Sequence, residues 1–239
     1  ATKDAQIYFS EVDAKILQAT MTREYWQKVD AAFELHGFST TRSNKPENRI
    51  QGYISGSDMN FTFVDEGSVL EIGPYRLSCI MTPGHSPGHV CLYEPDKKFL
   101  FAGDHILGDI SPNITIWEEM EDSLGQYLQS LDKVDKLDIN LALPGHRSLI
   151  KDHHQRIDEI KRHHKARLTE ILDILKEGPL SAYQVASFIT WDMNYDFWEQ
   201  VQPFQKWFAT GETIAHLEHL VYLKKVRKIQ PGKHLLYEI

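Results

Sequence analysis

Thr82-Pro-Gly-His85-Ser-Pro-Gly-His89 is the stretch that decides the fold. It follows Tyr75-Arg-Leu-Ser-Cys-Ile-Met81 and precedes Val90-Cys-Leu-Tyr93, two runs with the composition of buried strands. A Pro-Gly pair between strands forces a turn and leaves a histidine at the strand end. The arrangement recurs at Phe101-Ala-Gly-Asp104-His105 and at Leu143-Pro-Gly-His146. In each segment a glycine precedes the polar residue, which lets the backbone turn sharply and leaves room beside the side chain. Imidazoles and a carboxylate fixed on loops that leave strand ends are what a metal centre requires. The candidate donors are His85, Asp104 and His146. A carboxylate has two free oxygens, so Asp104 is the candidate bridge between two cations, with a hydroxide held between them as the nucleophile.

The rest of the chain frames these loops. Ile7-Tyr-Phe9 reads as a short strand, and Ser10 as a helix N-cap with Asp13 at the capping-box position. Thr22 caps a second helix, whose stripe of Tyr25, Trp26, Val29, Phe33 and Leu35 stops at Gly37. Residues 40–50 are polar and charged and read as a loop or lid. From Phe61 the period falls to two, giving short strands at residues 61–64, 69–72, 75–81, 90–93 and 99–101. Leu124, Tyr127, Leu128, Leu131 and Val134 return to helical spacing before a last strand at residues 139–143. Alternation of this kind predicts an α/β domain over residues 1–150, a sheet with helices packed on it.

Beyond Ile150 the pattern changes. Ile157, Ile160, His164, Leu168, Ile171, Leu172 and Leu175 mark a long amphipathic helix that ends before Gly178-Pro179. Ser181 caps a short helix through Ile189, a third helix is expected around residues 197–208, and a fourth begins at Gly211. A hairpin follows, with its turn at Pro231-Gly232. Helices followed by a basic two-stranded wing describe a winged-helix-like α+β module over residues 151–239.

The chain has 239 residues, 41% hydrophobic and 25% charged, which is ordinary for a water-soluble globular protein. Its net charge of −8 argues against a nucleic-acid partner for the whole surface. No apolar run approaches the roughly 18 residues of a membrane span, and the start lacks a signal-peptide core. Cys79 and Cys91 are expected to be buried free thiols. These features make a cytoplasmic location the expectation.

The three ordered motifs resemble the second half of the metallo-β-lactamase superfamily, and most closely its glyoxalase-II-like hydrolases. The resemblance covers roughly residues 1–150. The tail, with Gly211-Glu-Thr-Ile-Ala-His-Leu-Glu-His-Leu220 and its wing, resembles the winged-helix extension of one branch of these enzymes. The fold it implies is a partial αββα sandwich followed by the small module. It implies His85 as a ligand of one metal, His146 as a ligand of a second, Asp104 as the bridge, and His89 as a pocket residue beside the chemistry. It also implies two zinc ions, with iron or manganese as alternatives, and a small-molecule ester, thioester, lactone or phosphodiester substrate.

One departure is large. The superfamily's main ligand cluster, His-x-His-x-Asp-His, has no counterpart in this sequence. The expectation is therefore a chain that begins downstream of that cluster, first as a fragment of a longer protein, otherwise paired with a separate N-terminal polypeptide or a degenerate relative, and in this form sticky or oligomeric and inactive or weak alone. Half of a two-sheet sandwich leaves an apolar sheet face and open edges.

Other residues carry weaker signals. His105 reads as a supporting or strand residue and Asp109 as a turn residue. His153, His154, His163 and His164 read as exposed or packing residues, and His216 and His219 as core or capping residues. The aromatic stretch of Trp191, Tyr195, Phe197, Trp198 and Trp207 reads first as the core of the small module, and second as a wall over the site. Lys224, Lys225, Arg227, Lys228 and Lys233 concentrate charge near the wing. They leave open an alternative in which the module binds nucleic acid or serves a nuclease, although Glu212 and Glu218 on the preceding helix count against it.

Overall fold

The computed structural model describes residues 6–40 and 61–239. The loop or lid read over residues 40–50 lies outside them from residue 41 onward. Strand β1 (Ile7–Phe9) pairs in parallel with β2 (Phe61–Phe63). Between them in sequence come α1 (Glu11–Ala19) and α2 (Arg23–Leu35), capped by Ser10 and Thr22 as their side chains predict. The main sheet runs in the order β3 (Val69–Ile72), β4 (Tyr75–Met81), β5 (Val90–Glu94), β6 (Phe99–Gly103), β7 (Leu141–Pro144). Its first three pairings are antiparallel. The last, β6 with β7, is parallel and needs the crossover helix α3 (Ser123–Val134).

Apolar residues on alternate sheet positions build the first core. Leu100, Ala102 and Ala142 are buried against Leu124, Tyr127, Leu131 and Val134 of α3. Each large side chain buried this way contributes about 1.5–3 kcal/mol. Other apolar side chains near the two sheets stay in contact with solvent: Phe63 is 55%, Ile72 52% and Phe101 41% exposed. Cys79 and Cys91 are buried free thiols.

The C-terminal part holds α4 (His153–Leu175), α5 (Ala182–Phe188), α6 (Pro203–Tyr222) and the hairpin β8 (Arg227–Ile229) with β9 (Leu236–Glu238). Its own core joins Ile171 and Leu175 to Val185, Ile214, Leu217, Leu220 and Tyr237. Helix α4 serves both cores, because Ile157 and Ile160 pack with the sheet layer and Ile171 with the module. The change of pattern at residue 150 thus marks the start of a shared helix.

Two predicted helices are one. The sequence pattern ends a helix at residue 208 and begins another at Gly211, whereas α6 runs unbroken through both. Glycine is there for packing: a Cβ on Gly211 would lie 2.6 Å from Oγ1 of Thr115 and 3.3 Å from the Phe33 ring. Close approach of a neighbouring chain segment, rather than a helix boundary, explains this residue. Where the third helix is expected to begin, a 3₁₀ turn forms at Trp198–Gln200.

The module is tied to the rest of the chain by polar contacts. The Tyr183 N–H donates to the His36 carbonyl at 3.1 Å, and the Leu235 N–H donates to the Leu35 carbonyl at 2.8 Å. Nδ1 of His219 lies 3.0 Å from both carboxylate oxygens of Asp122, the residue that caps α3. Among the described residues no helix is long and apolar enough to cross a membrane.

Candidate metal centre

The loop between β4 and β5 is clamped from two sides. Ser130 of α3 donates to the Pro83 carbonyl at 2.8 Å. Gly84 has φ +143°, and a Cβ there would sit 2.4 Å from Cβ of Tyr127, so the loop lies directly on α3. On the other side the Asp13 carboxylate accepts the Gly88 N–H at 2.7 Å and the Ser86 hydroxyl. This corrects the capping-box reading of Asp13. Ser10 does cap α1 through the Asp13 N–H, but the Asp13 carboxylate turns away to hold the histidine loop.

His85 is oriented by the Asn113 carbonyl, 2.9 Å from Nδ1. A carbonyl only accepts, so Nδ1 carries a proton and Nε2 is the ring nitrogen turned toward the cleft. That Nε2 lies 3.7 Å from Oδ2 of Asp104. From the end of β7, Nε2 of His146 lies 3.6 Å from Oδ1 of the same carboxylate. The three side chains predicted as metal ligands therefore converge, and Asp104 turns a different oxygen toward each imidazole. His85 and Asp104 are about two-thirds covered, whereas His146 is 69% exposed and opens the cleft to solvent.

Asp104 leaves β6 through a register shift between Phe101 and Gly103. Gly103 has φ +52°, a left-handed conformation that suits glycine. A Cβ on Gly145 would come within 2.9 Å of Oδ1 of Asp104, so glycine keeps the space beside the carboxylate open.

His89 lies behind this cleft. Its Nε2 accepts the Asp104 N–H at 3.3 Å, which assigns the proton to Nδ1, 2.7 Å from Oγ1 of Thr82. Burial, with the neighbouring His85, lowers its pKa to about 4, so the ring is neutral. The resemblance implies His89 as a pocket residue, and its position also suits a structural hydrogen bond; in the structure both of its nitrogens are engaged with the scaffold of Asp104. His105 is fully buried, with its carbonyl accepting from the Tyr127 hydroxyl at 2.8 Å. Burial lowers its pKa to about 3.

The remaining candidates fall outside the cleft. Asp109 accepts from the Ser148 hydroxyl at 2.9 Å. His164 and His216 are buried together, 3.0 Å apart between Nδ1 and Nε2, while Nδ1 of His216 faces the Glu212 carbonyl at 2.8 Å. Trp191 stacks under Arg167 at 4.2 Å, and Trp207 stacks on Phe33 at 4.8 Å, whereas Phe197 is 65% exposed. Near the hairpin, Arg227 pairs with Glu238 at 2.7 Å and Lys228 with Glu218 at 2.5 Å. Two of the five wing cations are thereby matched by carboxylates.

Sequence reasoning missed three residues that shape this site. Asp13 and Asn113 orient the histidine loop, and the Trp117 indole N–H donates to the His85 carbonyl at 3.1 Å. Asn113 acts through its backbone, which leaves no signature in side-chain type.

Comparison with known proteins bears on the same residues. The model of the metallo-beta-lactamase superfamily matches residues 14–146, and that of the metallo-beta-lactamase-like C-terminal domain matches residues 168–236. A beta-lactamase-like protein 2 homolog of Caenorhabditis elegans is 34% identical over 117 residues, 49% of this chain and 37% of that protein. An atrochrysone carboxyl ACP thioesterase of Aspergillus fumigatus is 29% identical over 94 residues, 39% of this chain and 28% of that protein. The match thus spans well under half the length of these curated relatives. A crystal structure of a metallo-beta-lactamase family protein from Thermus thermophilus superposes with a TM-score of 0.81 at 28% identity, over 98% of this chain and 71% of that one. A beta-lactamase domain protein from Burkholderia ambifaria shares the fold, with a TM-score of 0.79 at 21% identity, over 98% of this chain and 64% of that one.

Proposed function

The chain belongs to the metallo-beta-lactamase superfamily, and from that premise we propose that it is a metal-dependent hydrolase of ester, thioester, lactone or phosphodiester bonds. One observation carries the reading: the two oxygens of Asp104 face two different histidines, His85 at 3.7 Å and His146 at 3.6 Å. The set fits divalent metal. Both contacts are longer than a good hydrogen bond, so the side chains converge without bonding one another. The cleft beside Oδ1 is space that a Cβ on Gly145 would fill. Zinc suits two imidazoles and a carboxylate, as do iron and manganese.

When bound, such ions supply Lewis-acid polarisation of the scissile oxygen and an activated water. The residues of this chain prepare for that chemistry. His85, His146 and Asp104 would hold the ions, with one Asp104 oxygen turned toward each histidine, and His89 fixes the backbone from which Asp104 projects. The thioesterase among the relatives favours an acyl substrate, and the pairing of Arg227 and Lys228 with glutamates favours a structural hairpin over a nucleic-acid surface.

Among the described residues each metal position has two protein ligands, one fewer than hydrolytic zinc usually holds. Weak metal binding and weak turnover are therefore expected of these 239 residues alone. The test is turnover of chromogenic thioester, lactone and phosphodiester substrates by zinc-loaded protein of verified mass. Slow, chelator-sensitive hydrolysis that falls to the buffer background in Asp104→Ala supports the reading. Hydrolysis that survives either chelation or Asp104→Ala overturns it.

A further inference from the structure

We propose that Asp135, His153 and His154 form a separate, structural site for a divalent transition-metal ion such as Zn²⁺. One ligand atom from each of the three lies within 4.8 Å of those of the others. His153 and His154 open the first turn of α4, and Asp135 is the C-cap of α3. All three are thus held on helix ends rather than on a free loop, which is the support a metal needs.

The chemistry of the donors points the same way. Nδ1 of His154 already meets Oδ1 of Asp135 at 2.7 Å, and the His153 and His154 rings lie 3.9 Å apart. His153 is only 3% exposed, yet its Nε2 has no hydrogen-bond partner. A buried ring nitrogen without a partner is costly unless something occupies it. His154 is exposed, so water can complete a tetrahedral shell around three protein ligands.

An ion here clamps the end of α3 to the start of α4, the helix shared by both cores. The clamp also bears on the loop after Asp104. Arg156, in the same first turns of α4, donates to the carbonyls of Leu107 at 2.6 Å and Ile110 at 2.9 Å.

The experiment is calorimetric titration of tag-free protein with Zn²⁺ alone, in a background where His85, Asp104 and His146 are all alanine. None of the proposed catalytic ligands remains, so the result does not depend on the hydrolase reading. The expected result is about one equivalent bound, with a rise in Tm on adding Zn²⁺. Replacing the exposed His154 by alanine is expected to weaken binding by at least about ten-fold and remove the Tm rise, and Asp135→Asn to do likewise. Circular dichroism confirms that each variant is folded. No binding in the background protein, or binding unchanged by both His154→Ala and Asp135→Asn, overturns the proposal.

Discussion

Nε2 of His89 accepts the backbone N–H of Asp104 at 3.3 Å. The carboxylate that faces both candidate metal-binding histidines is therefore fixed through its main chain by a third histidine that faces neither position. Thr82 completes the chain of bonds by meeting Nδ1 of that ring at 2.7 Å. The first and last residues of the Thr-Pro-Gly-His-Ser-Pro-Gly-His motif thus support each other, and the first of its two histidines is left to reach the cleft.

Thr82→Val tests that support with little change of shape. It leaves the buried Nδ1–H of His89 without an acceptor, which costs about 1–3 kcal/mol. Chemical denaturation should show this loss, and metal affinity should fall on the order of ten-fold because Asp104 is held less firmly. His85→Ala should behave differently, with affinity lost and stability nearly kept, since His85 is part-exposed.

Gly145→Ala tests the room beside the carboxylate. The added methyl would come within 2.9 Å of Oδ1 of Asp104, and Gly145 is not among the glycines with positive φ, so backbone strain is not the cause. Zinc affinity is expected to drop by about ten-fold with a small change in Tm. A large loss of stability with affinity intact would move the role of Gly145 from the site to the fold.

His219→Ala tests the joint between the sheet layer and the module. Burial alone would raise the Asp122 pKa, but the bonds from His219 and the Gly125 N–H outweigh it and lower the pKa below the usual carboxylate value. Stability from this carboxylate is present above its unfolded pKa and is lost as pH falls through the folded one. Removing His219 leaves the carboxylate buried with the Gly125 N–H alone, at a cost of about 3 kcal/mol. Urea denaturation at neutral pH measures it.

Acid should destabilise the protein well above the range where carboxylates titrate. Burial lowers the His36 pKa to about 4 and the His216 pKa to about 3, and holds His164 well below its ordinary value. Their folded pKa values lie below the unfolded value near 6.5, so the unfolded chain binds more protons between the two. Stability is full above about pH 6.5 and falls toward pH 4, by up to about 1.4 kcal/mol per pH unit for each histidine. Urea midpoints measured from pH 7.5 to pH 4.5 should decline steeply, and a flat profile would contradict the burial of these rings.

Much of this was legible in the sequence because it is local. Period-two runs marked β3 to β6, side-chain caps marked α1, α2 and α5, and Pro-Gly-His strings marked the loops of the site. What the sequence hid depends on distant packing. Gly211 looks like a helix boundary until Thr115 is found against it. Asp13 fits a capping box until a loop more than seventy residues away claims its carboxylate. Asn113 contributes only a carbonyl, which every residue has. His89 carries the same letter as His85 in the same motif, and only the hydrogen bonds separate a side chain that faces the cleft from one that faces the scaffold.

Anomalous scattering at the zinc edge, from crystals soaked in Zn²⁺, tests the central claim most directly. The account predicts one peak between His85 and Oδ2 of Asp104 and another between His146 and Oδ1, both lost in Asp104→Ala. A cleft without zinc at Asp104 in crystals that bind zinc elsewhere, or peaks at His85 and His146 that persist in Asp104→Ala, would contradict the shared carboxylate and the hydrolase built on it.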